Sequence, residues 1–223
     1  TASLALPETG PIGVETLRLE APAAVLAVDG TFDPGDETVA LSYRLEAGSP
    51  DAVSGLMPGA GWRSLAVDGR ITGRLAHPDM DAAVDGRFVA LPGAAFDRLR
   101  GTARVRPSGP FADAGTRIGL ATSGSIEGLT LGADGVDTLV GSSVEWAVDG
   151  AFSPSGDVSV ERLEVTLPSG RLTAEGELSD WGLATPGFRA RAELPDLSEL
   201  QGLLGRPVSG RASVPHLHDT TAA

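Results

Sequence analysis

Almost every segment of this chain alternates apolar and polar side chains in a short run, reaches Gly or Pro, and turns. A period of two belongs to a β-strand, and a strand that alternates has one face to hide and one to show water. The same core recurs four times: Ala27-Val28-Asp29-Gly30, Ala66-Val67-Asp68-Gly69, Ala83-Val84-Asp85-Gly86 and Ala147-Val148-Asp149-Gly150. Two residues beyond each stands an apolar side chain, Phe32, Ile71, Phe88 or Phe152. Parity therefore predicts Leu26, Val28 and Phe32 on one face, with Leu65, Val67 and Ile71, Val84 and Phe88, and Val148 and Phe152 repeating the arrangement. The intervening Asp29, Asp68, Asp85 and Asp149 point the other way.

A larger repeat emerges when Val14 to Phe32 is laid on Val160 to Leu178 without a gap. Val14/Val160, Glu15/Glu161, Leu17/Leu163, Pro22/Pro168, Leu26/Leu172 and Gly30/Gly176 are identical, and Leu19/Val165 is conservative. Each copy reads strand, Pro-marked turn, strand, and each is followed by a further alternating strand: Val39-Leu41-Tyr43-Leu45 in one and Phe188-Ala190-Ala192-Leu194 in the other. Repetition of one supersecondary unit implies a stack. The expected layout is one elongated β-repeat segment over residues 1–223, with repeat units at 11–60 and 126–214, middle strands at 61–125 and a frayed end at 215–223. About fourteen or more strands at ~4.8 Å spacing give a length on the order of 65 Å. Short helices of one or two turns are expected at Asp196 to Gly205, where Asp196 and Glu199 form a capping box, and at Ser49 to Gly59 and Asp134 to Gly141.

Composition removes most chemistry. The chain has no Cys, no Lys and no Asn, and all seventeen basic residues are Arg, a bias typical of GC-rich coding sequence. A disulfide framework, a cysteine nucleophile, a Schiff-base lysine and a phosphate-loop lysine are all excluded. The net charge of −13, with no basic block, repels nucleic acid and anionic bilayers. Three Trp and one Tyr are too few for the two aromatic girdles of an outer-membrane barrel. Thr1 to Gly10 carries neither a basic nor an apolar leader region, so the chain reads as a segment of something longer.

Three histidines are present. His77 lies in Ala-His-Pro-Asp, a turn composition, and no G-x-S-x-G elbow accompanies it. His216 and His218 have strand spacing for a shared metal but only Asp219 as a further ligand, so they read as an exposed strand end. The repeated Asp-Gly pairs match neither a nonapeptide calcium repeat nor an EF-hand loop. No cofactor, metal or catalytic residue is expected, and the chain reads as non-enzymatic.

The apolar face remains. It is either an ordinary sandwich core or an open surface that holds something apolar. Its expected members, beyond those named above, are Leu17 and Leu19, Leu41 and Tyr43, Trp146, Leu163, Val165, Leu172 and Phe188.

The stretch Ser159 to Val214 couples a paired strand ending in x-G-x-L, an extended strand, Leu194-Pro195-Asp196-Leu197-Ser198 with following leucines, and Ser209-Gly210-Arg211. This succession resembles one repeat of the TamB family, part of the AsmA-like group of bridge-like lipid transporters. His77 to Val105 and Val14 to Ile71 resemble further repeats. The resemblance implies an inner-membrane-anchored, periplasmic, β-rich body curled into a U-shaped, taco-like groove. It implies phospholipid acyl chains as cargo and work with TamA, an Omp85-class outer-membrane barrel, through other parts of the full-length protein. The face residues named above would then line the lipid groove. The alternative from the residues alone is a secreted adhesin-like or scaffold β-solenoid with a closed dry core.

Overall fold

A computed structural model describes residues 10–48, 50, 59–132, 140–178, 187 and 189–194, together with the strands at 2–5 and 212–214. Among the described residues, fourteen strands build one antiparallel sheet. They are β1 (Ala2–Ala5), β2 (Ile12–Ala21), β3 (Ala24–Asp33), β4 (Thr38–Ala47), β5 (Ser64–Arg74), β6 (Asp79–Leu91) and β7 (Ala94–Pro107). The series continues with β8 (Ile118–Glu127), β9 (Thr130–Leu131), β10 (Ser143–Phe152), β11 (Val158–Leu167), β12 (Gly170–Leu178), β13 (Arg189–Leu194) and β14 (Ala212–Val214). Spatial order follows sequence order, apart from β9, which pairs with β7. The topology is thus a meander, as expected when short turns join strands that are neighbours along the chain.

The all-β, elongated sheet is the architecture that the alternation predicts. Its curvature is not. The described sheet is neither closed nor strongly curled, so the U-shaped groove is absent in that form. Sheets curl where bulges accumulate, and the registers of β3 with β4, β4 with β5, β5 with β6, β7 with β8 and β8 with β10 run without a slip.

Two bulges do occur, and they fall at equivalent places in the duplicated units. Register slips between Val14 and Leu17 against β3, and between Val160 and Leu163 against β12. The glycines opposite, Gly30 and Gly176, are also equivalent and have φ of +137° and +156°. At Gly30 an added Cβ would run into the Ala40 carbonyl oxygen, so the residue facing the bulge must be Gly.

A second irregularity crosses four strands. On β6 the uncharged half-buried and buried positions run Met80, Ala82, Val84 and Gly86, and then parity changes to Val89 and Leu91. On β7 it changes between Phe96 and Leu99. Gly61 continues the β5 register by pairing with Ala90, and β9 continues that of β8 by pairing with Ala94 and Ala95. Phe88 sits in this crease at φ +49°. It is half exposed at 51%, with the Arg63 guanidinium 4.3 Å above its ring. Val89 is buried instead and would touch a Cβ on Gly86, beside Leu65 and Leu99. Phe88 therefore leaves the apolar face to which parity assigned it, because its left-handed backbone interrupts the alternation. The indole N–H of Trp62 donates to the Ala47 carbonyl at 3.2 Å and ties the crease to β4.

The expected short helices fall almost wholly outside the described residues, as do Phe188, His216 and His218. His77 lies in the turn between β5 and β6, its N–H bonded to the Arg74 carbonyl.

Candidate functional site

Cross-strand partners in an antiparallel sheet share a face, so the registers can be followed from strand to strand across the molecule. One row runs Leu17, Val28, Tyr43, Gly69, Ala82, Ala103, Thr122, Val148, Leu163, Ala174 and Ala190. Beside it runs Leu19, Leu26, Leu45, Val67, Val84, Gly101, Gly124, Trp146, Val165, Leu172 and Ala192. On the other side lie Val14, Gly30, Leu41, Ile71, Met80, Val105, Leu120, Gly150, Val160 and Gly176. Outer rows pass through Phe32, Val39, Ile118 and Phe152 at one end of the strands, and Leu65, Gly86, Leu99 and Ile126 at the other. None of these five rows holds a charged residue between β2 and β13.

Each described sequence-nominated residue except Phe88 thus stands on one face, and the bulges are what keep Leu17 and Leu163 there. Sequence reasoning missed the central contributions of Met80, Ala82, Ala103, Val105 and Leu120. The alternation Leu99-Arg100-Gly101-Thr102-Ala103-Arg104-Val105-Arg106 carried the signal for the β7 members.

Two aromatic rings lie down on this face over glycines. A Cβ at Gly69 would collide with the Tyr43 ring, and one at Gly124 with the Trp146 indole, which also reaches over Gly101, where a Cβ would stand 3.3 Å from it. Rings of this size fill gaps left by missing side chains on neighbouring strands and keep the surface even. The indole N–H points toward Thr122 Oγ1 at 3.5 Å, the polar side chain in the middle row.

Nothing described covers the face. No large side chain is fully buried among the described residues, and Leu19 and Leu172 are 53% and 37% exposed. The few buried apolar residues, including Val39, Ala47, Val89, Phe96 and Ile118, sit toward the strand ends. Eleven strands from β2 to β13, without β9, give ten spacings of ~4.8 Å, and a ten-residue strand is ~33 Å long, so the face measures on the order of 1,600 Å². That exceeds the roughly 300–600 Å² of the largest apolar patch on an ordinary monomer.

The opposite face carries the charge. Asp85 on β6 accepts a hydrogen bond from Arg98 at 2.9 Å, with Arg100 3.6 Å away, and Arg106 grips Asp81 through both carboxylate oxygens at 2.8 and 2.9 Å. The Arg98 hydrogen bond holds the Asp85 carboxyl below its ordinary value, and the Arg162 bond does the same for Glu164. Asp68, another of the repeated aspartates, lies 3.5 Å from Arg44. The Arg106–Asp81 and Arg44–Asp68 pairs are exposed, while Arg98 and Glu164 are half-buried; each exposed pair contributes little alone, but together the charges mark this face as the wet one. Comparison with protein-family models, curated proteins and solved structures gave no match.

Proposed function

We propose that this chain is a non-enzymatic, periplasmic segment of a bridge-like protein of the TamB and AsmA-like type, conducting phospholipid between inner and outer membranes. The observation that carries the reading is the set of uncharged rows, two of which run across the strands from β2 to β13 without a break and a third from β2 to β12. Rows two residues apart lie ~6.8 Å from one another, room enough for extended hydrocarbon chains lying along the sheet axis. An acyl chain gains roughly 0.8 kcal/mol per buried CH₂ wherever it lies on such a surface. A row that offers similar burial at every strand binds the chain while giving it no deep well in which to stop.

The resemblance to TamB repeats supports the rest of the reading. An outer-membrane barrel of the TamA type is the proposed partner, through other parts of the protein, and flanking repeats together with cargo draw the open sheet toward a U-shaped trough. A scaffold with a closed dry core is the less favoured alternative, since no large described side chain is fully buried.

Native mass spectrometry and lipid extraction of purified protein test the proposal. Co-purifying or loadable phospholipid is expected. A lipid-free preparation that resists loading removes the lipid reading.

A further inference from the structure

We infer that, when it carries no lipid, this chain pairs with a second copy of itself, apolar face against apolar face, as a two-sheet sandwich. A face on the order of 1,600 Å² on each copy would remove about 3,200 Å² from water, above the 1,200–2,000 Å² of standard specific complexes and within the range of obligate homodimers. Charge complementarity agrees. The uncharged rows can meet without burying an ion, while the Asp and Arg pairs of both copies stay outward in water. The shape also suits it, because a sheet that is not strongly curled, with Tyr43 and Trp146 laid flat over its glycine gaps, can pack on another sheet at the usual ~10 Å separation.

An isologous pair places residues near its two-fold axis opposite themselves. Ala103 lies on the sixth of the eleven strands and the third of the five rows, at the centre of the face. The preceding residue, Thr102, belongs to the opposite face, where its hydroxyl is 3.2 Å from that of Ser123. The pairing does not require the lipid reading. One consequence does rest on it: acyl chains and a second copy compete for the same surface.

The test uses the whole chain, which contains no Cys. Lipid-free protein, verified by native mass spectrometry, should sediment at twice the 22.7 kDa chain mass at micromolar concentration. Ala103→Cys should crosslink to a covalent dimer with a short bismaleimide, and Thr102→Cys should not. Addition of a single-chain phosphocholine detergent should return the mass to that of one chain and abolish the Ala103→Cys crosslink. A lipid-free monomer overturns the inference and leaves the lipid reading standing, as does equal crosslinking of the two variants. A crosslinked dimer that never takes up phospholipid supports the inference and removes the lipid reading.

Discussion

Substituting Gly124 by Ala tests whether the apolar face is built by rings lying over glycines. The new methyl group would fall well inside contact distance of both the Trp146 indole and the Arg100 carbonyl oxygen. The indole can swing out, but it then gives up the cover it shares with Gly101, and the carbonyl belongs to the β7 ladder and moves only with its strand. Overpacking of this kind costs about 1–3 kcal/mol, and re-exposing part of a large aromatic surface adds on the order of 1–2 kcal/mol. A Gly to Ala change without a clash stabilises by about 0.4–1 kcal/mol through the unfolded chain. The net expectation is a loss of about 2–4 kcal/mol. Gly101→Ala provides the control under the same ring: its Cβ would stand 3.3 Å from the indole and from the Ser123 carbonyl, a gap the neighbours can widen by a few tenths of an ångström. That variant should lie within about 0.5 kcal/mol of the parent. Urea unfolding supplies the stabilities, and Trp146 emission, in a background of Trp62→Phe and Trp181→Phe, reports the ring. A Gly124→Ala protein with parental stability and unshifted emission refutes the stacked-ring account.

Replacing Val148 by Arg puts a charge into the middle row between Thr122 and Leu163. The open face lets the side chain snorkel, so far-UV circular dichroism should be preserved while phospholipid capture falls, and unchanged capture would remove Val148 from the path. Photo-crosslinkers at Val148 and Phe152 should label lipid and one at Asp149 should not. Asp85 gives a pH dependence. Its folded carboxyl is lowered chiefly by the Arg98 hydrogen bond, so the stabilisation is complete above the ordinary value of 3.8 and is lost as pH falls through the lowered folded value. Asp85→Asn should therefore reduce stability near neutrality and flatten the acid limb of the urea midpoint, and parallel acid limbs in the two proteins would contradict the pairing.

Parity carried most of the fold. Leu26, Val28 and Phe32 could be placed from their own strand because nothing between them breaks the backbone. Phe88 could not, since its displacement arises from a crease shared with three neighbouring strands, which no local pattern records. The glycines under Tyr43 and Trp146 were equally hidden: Gly69 lies 26 residues from Tyr43, and Gly124 lies 22 from Trp146. Their partnership exists only once the register is known. Curvature failed for a related reason, because it is the sum of many small register and twist decisions. The uncharged character of the face was legible throughout, but its continuity across eleven strands depended on pairings the sequence leaves open.

The bulges make one further prediction, and it runs against the usual cost of changing strand length. Deleting a residue from a strand normally turns everything beyond it to the opposite face. In β4, removal of Ser42 would move Tyr43 and Leu45 relative to Leu41 and Val39, split the apolar set, and break pairings with both β3 and β5. Thr16 occupies a different position. It is one of the two residues between Val14 and Leu17, where β3 supplies only Asp29 between Gly30 and Val28. Without it, Ile12, Val14, Leu17 and Leu19 would alternate as a plain strand and keep their present face, and β1, whose register slips at the same point, would pair without a slip. The hydroxyl of Thr16 donates to the adjacent Glu15 carbonyl, a bond local to the bulge, so its removal breaks no cross-strand side-chain bond of that hydroxyl. Deletion of Thr16 should therefore cost under about 2 kcal/mol in urea unfolding, while deletion of Ser42 should abolish the cooperative transition. If the two deletions prove equally damaging, the extra residue of the bulge is not what holds Leu17 and Leu19 on the apolar face.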